Sequence, residues 1–62
     1  MTEQYFFIEH DETGKRIDSF DDQMTFNQMM DALANCDKVL IDGLPFWRTC
    51  EGVIISPVLE EV

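Results

Sequence analysis

Apolar and polar positions alternate in short blocks along most of this chain and switch once to a helical spacing. Residues 4–10, Gln-Tyr-Phe-Phe-Ile-Glu-His, are dense in aromatic and β-branched side chains and predict a strand. Asp11-Glu12-Thr13-Gly14 follows. Gly14 supplies the positive φ that a three- or four-residue hairpin loop needs, so residues 15–20 are expected to return as a second strand. The alternation in that return is imperfect, with Ile17 on one side and Phe20 on the other.

The spacing then changes. Phe26, Met29, Met30 and Leu33 stand at i, i+3, i+4 and i+7, one stripe of an amphipathic helix of about ten residues, while Asn27, Gln28 and Asp31 face away. Three start signals coincide at its head. Thr25 is a good N-cap, Gln28 sits where it can complete a capping box, and Met24 and Met29 occupy the two positions of a hydrophobic staple. Asn35 is expected to end the helix, because asparagine tolerates the left-handed conformation. A methionine-bearing stripe of this spacing reads as core packing.

Beyond the helix, Lys38-Val39-Leu40-Ile41 predicts a third strand and Asp42-Gly43 a two-residue hairpin turn. Pro45 cannot donate to a ladder, so either the chain pairs straight back from Leu44 or residues 42–45 form a wider loop before a strand over 46–50. Glu51-Gly52 is another turn, leading to a fifth strand over 53–56 that Pro57 is expected to limit, with residues 58–62 fraying. The order β-β-α-β-β-β predicts a single α+β domain over residues 1–62, a small, mainly antiparallel sheet with one amphipathic helix packed on one face.

Strand periodicity exposes a difficulty. On the first strand Tyr5 and Phe7 point one way and Phe6 and Ile8 the other, and the third and fifth strands are likewise apolar on both sides. One short helix covers one face, so the other requires a second copy of the chain, closure of the sheet on itself, or a partner. Tyr5, Phe7 and Trp47 are the candidate self-association residues of a homodimer. Burying a few hundred Å² of apolar surface per subunit, at about 25 cal/mol per Å², would add several kcal/mol. A chain of 62 residues needs such help, since it buries only about 60% of its unfolded surface.

Composition narrows the class. An apolar fraction of 45% including seven aromatic residues argues against disorder. No apolar run approaches the roughly 18 residues that cross a bilayer. Residues 1–4 lack the basic and apolar regions of a secretory signal, so a cytoplasmic location with reduced thiols is expected. Cys36, Cys50 and the single His10 cannot make a tetrahedral metal set without carboxylates, and no metal or cofactor is expected. His10 and Asp11 are strand neighbours pointing to opposite sides, the thiols lack C-x-x-C spacing, and the segment 18–22 lacks the glycine and distal glutamate of a calcium loop. Nothing in the chain supports an enzyme.

Charge is the strongest compositional signal. Thirteen acidic residues against four basic ones give −9 at pH 7, which should repel nucleic acid and anionic membranes at any exposed face, so direct binding to either is not expected. Two function classes follow. The first is a non-catalytic, acidic protein-binding module, an inhibitor that mimics nucleic acid and occupies the basic groove of a polymerase or of a repair or defence nuclease. Its candidate contact residues are Asp11, Glu12, Asp18, Asp21, Asp22, Asp31 and Asp37, in the turn, the link and the outer face and exit of the helix. The second is a structural or assembly protein that self-associates through an apolar sheet face, its charge serving solubility.

The turn Asp-Glu-Thr-Gly-Lys between two strands, then a short capped helix and a Lys-Val-Leu-Ile strand, loosely resembles the small acidic uracil-DNA glycosylase inhibitors of Bacillus phages over residues 5–41. The Phe46–Ser56 hairpin departs from that pattern, and the resemblance assigns no family. Size and charge are similar in type to phage-borne inhibitors of bacterial defence, including anti-CRISPR proteins.

Overall fold

The computed structural model describes residues 3–61, with side chains over 3–60. Five strands and one helix follow in the expected order: β1 Glu3–His10, β2 Arg16–Ser19, α1 Phe26–Ala34, β3 Asp37–Ile41, β4 Leu44–Arg48 and β5 Ile54–Glu61. All pairings are antiparallel, in the spatial order β2-β1-β5-β4-β3, so the last strand inserts between the first and the fourth. The fold is α+β with one helix on one sheet.

Local chemistry sets the turns. Asp11 N–H donates to Lys15 C=O and Gly14 N–H to Asp11 C=O, closing a three-residue loop with Gly14 at φ +90°. One oxygen of the Asp11 carboxylate accepts from Thr13 N–H, Thr13 Oγ1–H and Lys15 N–H. The β4–β5 loop repeats this design, with Thr49 Oγ1 accepting from the N–H groups of Glu51 and Val53 and Gly52 at φ +90°. Between β3 and β4, Asp42 at φ +53° and Gly43 at φ +80° make a tight primed turn, with Ile41 opposite Leu44.

Hydrogen bonds also hold Asp11 below the usual carboxylate range, the Thr13 hydroxyl first and the Lys15 amide next. A folded-state value below the unfolded one adds stability that is complete above the unfolded value of 3.8 and is lost as pH falls below it. Replacing Asp11 with alanine is therefore expected to flatten the acid limb of the stability–pH curve below that value. Urea unfolding followed by circular dichroism from neutral to strongly acidic pH reads the change.

Two prolines decide how the sheet ends. Of the two alternatives for β4 the chain takes the first, pairing straight back from Leu44, whereas β5, expected to be limited by Pro57, runs to Glu61 alongside all of β1. The Phe7 carbonyl accepts from Phe20 N–H on the β2 side, so the Phe7–Pro57 pairing calls on no proline N–H. Pro57 therefore turns its missing donor toward β4. The β4–β5 ladder comprises Trp47–Ile55 and Arg48–Ile54 and stops where Pro45 would face Pro57. Residues 58–61 are held by β1 and do not fray; Val62 lies outside the described residues.

The helix starts as its sequence demands. Thr25 Oγ1 accepts from Gln28 N–H at 3.2 Å and Gln28 Oε1 from Thr25 N–H at 2.9 Å, completing the capping box. Thr25→Ala is expected to cost about 1 kcal/mol, measurable by urea unfolding. The other end differs from expectation: Asn35 is at φ −92°, outside the left-handed region. Its N–H bonds back to Ala32 C=O and its side chain donates to Asp31 C=O, so a tightened last turn ends the helix. The buried stripe also differs. Met29 and Leu33 are buried with Ala32 and Cys36 beside them, whereas Phe26 and Met30 are exposed, Phe26 resting edge-on against Tyr5.

Under the helix lie Phe7 and Ile55, with Tyr5, Met24, Trp47 and Val53 packed around them. Tyr5, Phe7 and Trp47, expected on a face free for a second subunit, thus share the face that the helix covers. Periodicity assigns residues to a common face, but only the packing of α1 decides which face that is. The opposite face carries its own buried group of Phe46, Ile54 and His10, at 8%, 5% and 9% exposure. There the β1–β2 loop curls over the sheet. A Cβ placed on Gly14 would sit 3.3 Å from Ile41 Cγ2 and 3.4 Å from Phe46 Cζ. The β1–β2 loop, curled against Ile41 and Phe46, helps to cover these residues.

Ile17 is the extra residue of a β-bulge, because Glu9 pairs with Asp18 and His10 with Arg16. The bulge accounts for the broken alternation of this segment.

Candidate protein interface

An open groove of about 520 Å³ lies on the helix side of the sheet. Phe7 and Ile55 form its floor. Phe20, Asp22 and Met24 wall one side from the β2–α1 link, Thr49, Glu51 and Val53 wall the other from the β4–β5 hairpin, and Glu9 stands at the β1 border. Each part has a local cause. Met24 exchanges two 2.8 Å backbone hydrogen bonds with Tyr5, and Phe20 N–H bonds to Phe7 C=O, so both ends of the link are tied to β1. The Thr49 hydroxyl fixes the loop that presents Glu51. No residue of α1 lines the groove, which is the part of this face that nine helical residues leave open.

Among the expected contact residues, Asp18, Asp21 and Asp22 come together on one exposed edge segment, with Asp22 in the groove wall. Asp18 Oδ1 accepts from Ser19 N–H. Asp11 and Glu12 are in the β1–β2 loop, where Asp11 is committed to the turn. Asp31 is exposed on the helix, and Asp37 opens β3 opposite Arg48. Asp31 and Asp37 belong to elements outside the groove wall. Glu9, Phe20 and Glu51 were not anticipated as site residues. The exposed Phe20 amid aspartates was the one local sign. The rest depends on pairing β1 with β5, from opposite ends of the chain.

His10 has another role. Its Nδ1–H donates to Gly14 C=O at 3.0 Å, so in the neutral ring Nε2 accepts from Ser56 Oγ–H at 2.7 Å. This hydrogen-bond order resembles a nucleophile and its base. The imidazole, however, is buried edge-on against Phe46 with ring centroids 4.7 Å apart, and neither His10 nor Ser56 lines the groove. The pair ties the curled loop to β1 and β5.

Cys36 and Cys50 are free thiols, Cys36 half-buried and Cys50 exposed. Burial, then Cys50 and Asp37, push the Cys36 thiol up, which suppresses its thiolate. Among the described residues, no three His, Cys, Asp or Glu side chains gather to hold a metal ion, and no helix is long and apolar enough to cross a membrane.

No protein-family model, curated protein or solved structure matches this chain.

Proposed function

We propose that this chain is a non-catalytic, acidic binding module that docks the groove and its carboxylate border onto a basic protein surface. The finer reading is an inhibitor that occupies the nucleic-acid groove of a DNA- or RNA-handling enzyme. The observation that supports it most is the arrangement of Glu9, Asp18, Asp21, Asp22 and Glu51 on or beside one apolar groove whose wall contains none of Lys15, Arg16, Lys38 and Arg48. Carboxylates with no Lys or Arg beside them in the groove wall, among the described residues, can answer a partner's cations, and they steer encounter as well as specificity.

The test is a partner captured from bacterial lysate and then purified. Its affinity is expected to fall at least about tenfold when salt rises from about 50 to about 300 mM, and by a similar factor in a D18N/D21N/D22N triple variant. Duplex DNA or RNA should displace it. Binding that ignores salt, the triple variant and nucleic acid would remove the reading.

A second reading, self-association with charge serving solubility, draws on Leu40 and Leu44 of the β3–β4 hairpin, exposed at 70% and 61% at the sheet edge. Analytical ultracentrifugation separates the two. A stable dimer disrupted by Leu40→Ser favours assembly, and a monomer favours docking.

A further inference from the structure

We infer that the groove receives an arginine side chain presented by a partner protein. This rests on the carboxylate-docking reading above and specifies what the carboxylates hold. The floor and walls offer Phe7, Phe20, Met24, Val53 and Ile55, whereas Glu9, Asp22 and Glu51 supply charge at separate points of the border. Glu9 also stands directly opposite Asp18 in the β1–β2 ladder. Like charges so placed repel, and a docked cation would relieve them.

The combination selects one chemistry. Anions are repelled, and a hydrated metal ion gains nothing from an apolar floor. An ammonium is compact and strongly hydrated. A guanidinium is planar, weakly hydrated, able to stack on the Phe20 ring, and carries five donors that can address separated carboxylates. Its methylene stem matches the apolar floor. A groove of about 520 Å³ holds more than one side chain, which calls for an arginine flanked by apolar neighbours on a protein segment.

Calorimetric titration of the full chain with the peptide acetyl-Gly-Leu-Arg-Leu-Gly-amide tests the inference, with citrulline and lysine versions as probes of charge and shape. The arginine peptide is expected to bind at least about tenfold more tightly than the citrulline peptide and about threefold more tightly than the lysine peptide. Phe20→Ala removes an exposed link residue and leaves the net charge at −9, yet should weaken binding about fivefold or more. Glu51→Gln should weaken it as well. Glu3→Gln, roughly 20 Å along β1 from Glu9, should not.

Phe20→Ala binding like the parent, or Glu3→Gln weakening binding as much as Glu51→Gln, overturns the groove while leaving diffuse carboxylate docking intact. No peptide binding, when the lysate partner still binds with steep salt dependence, also overturns it. Free arginine amide binding as tightly as the peptide overturns the protein occupant and assigns the groove to a small cation.

Discussion

Phe46→Ala is expected to remove about a third or more of the chain's stability to unfolding at 25 °C. Phe46 is 8% exposed, stacks edge-on with His10, and lies under the Gly14 turn on the face that the helix does not reach. Truncating such a phenylalanine costs about 3–5 kcal/mol. A domain of 62 residues has roughly 3–9 kcal/mol in all, at about 0.05–0.15 kcal/mol per residue. The comparison is Leu40→Ala, at a side chain 70% exposed, which should change stability by less than about 0.5 kcal/mol. Urea unfolding of both variants reads the difference. Equal small losses would mean that the second face is not packed under the curled β1–β2 loop.

The second large effect comes from a pair of glycines. Gly14 and Gly52 share φ +90° in loops of the same design, so an alanine at either meets the same backbone penalty, on the order of 1–2 kcal/mol. They differ in surroundings. A Cβ on Gly52 meets nothing within 4 Å, whereas one on Gly14 meets Ile41 at 3.3 Å, tighter than ordinary van der Waals contact, and Phe46 at 3.4 Å. Gly14→Ala is therefore expected to cost about 1–2 kcal/mol more than Gly52→Ala, the excess being crowding at the curled loop. Thermal melts of the two variants side by side provide the measurement. Indistinguishable melting temperatures would place the β1–β2 loop away from Phe46.

Both expectations concern contacts that no local pattern announces. Features fixed within about five residues were legible in the sequence: the Asp11–Gly14 turn, the Thr25–Gln28 capping box and the Asp42–Gly43 turn each follow from side chains that satisfy neighbouring backbone or tolerate positive φ. The α+β class followed from element order. What escaped depends on distant partners. Pro57 looked like a strand end, because whether its missing donor matters depends on which neighbour it faces, and β1 does not need that donor. The helix stripe was placed about 60° off around the axis, since Met29 and Leu33 belong to both sets and Ala32 and Cys36, not Phe26 and Met30, complete the buried one.

The candidate site divides in the same way. The link aspartates were visible as a charge run, and the structure places Asp22 in a groove wall. Glu9 and Glu51 looked like ordinary strand and turn carboxylates until β5 brought their elements together. Conversely, Asp11 looked available and is bound into its own loop. A carboxylate's type and exposure can be guessed from sequence, but its freedom to meet a partner depends on the neighbouring backbone donors.

The central claim is that docking uses the acidic groove and not the surface at large. Amide shift mapping of the isotope-labelled chain during titration with a short arginine-rich peptide tests it most directly. The largest shifts are expected in residues 7–9, 20–24 and 49–55, the segments that build the groove. Shifts centred on the Asp42–Leu44 hairpin, or spread evenly over every exposed carboxylate including Asp31 and Glu3, would contradict it.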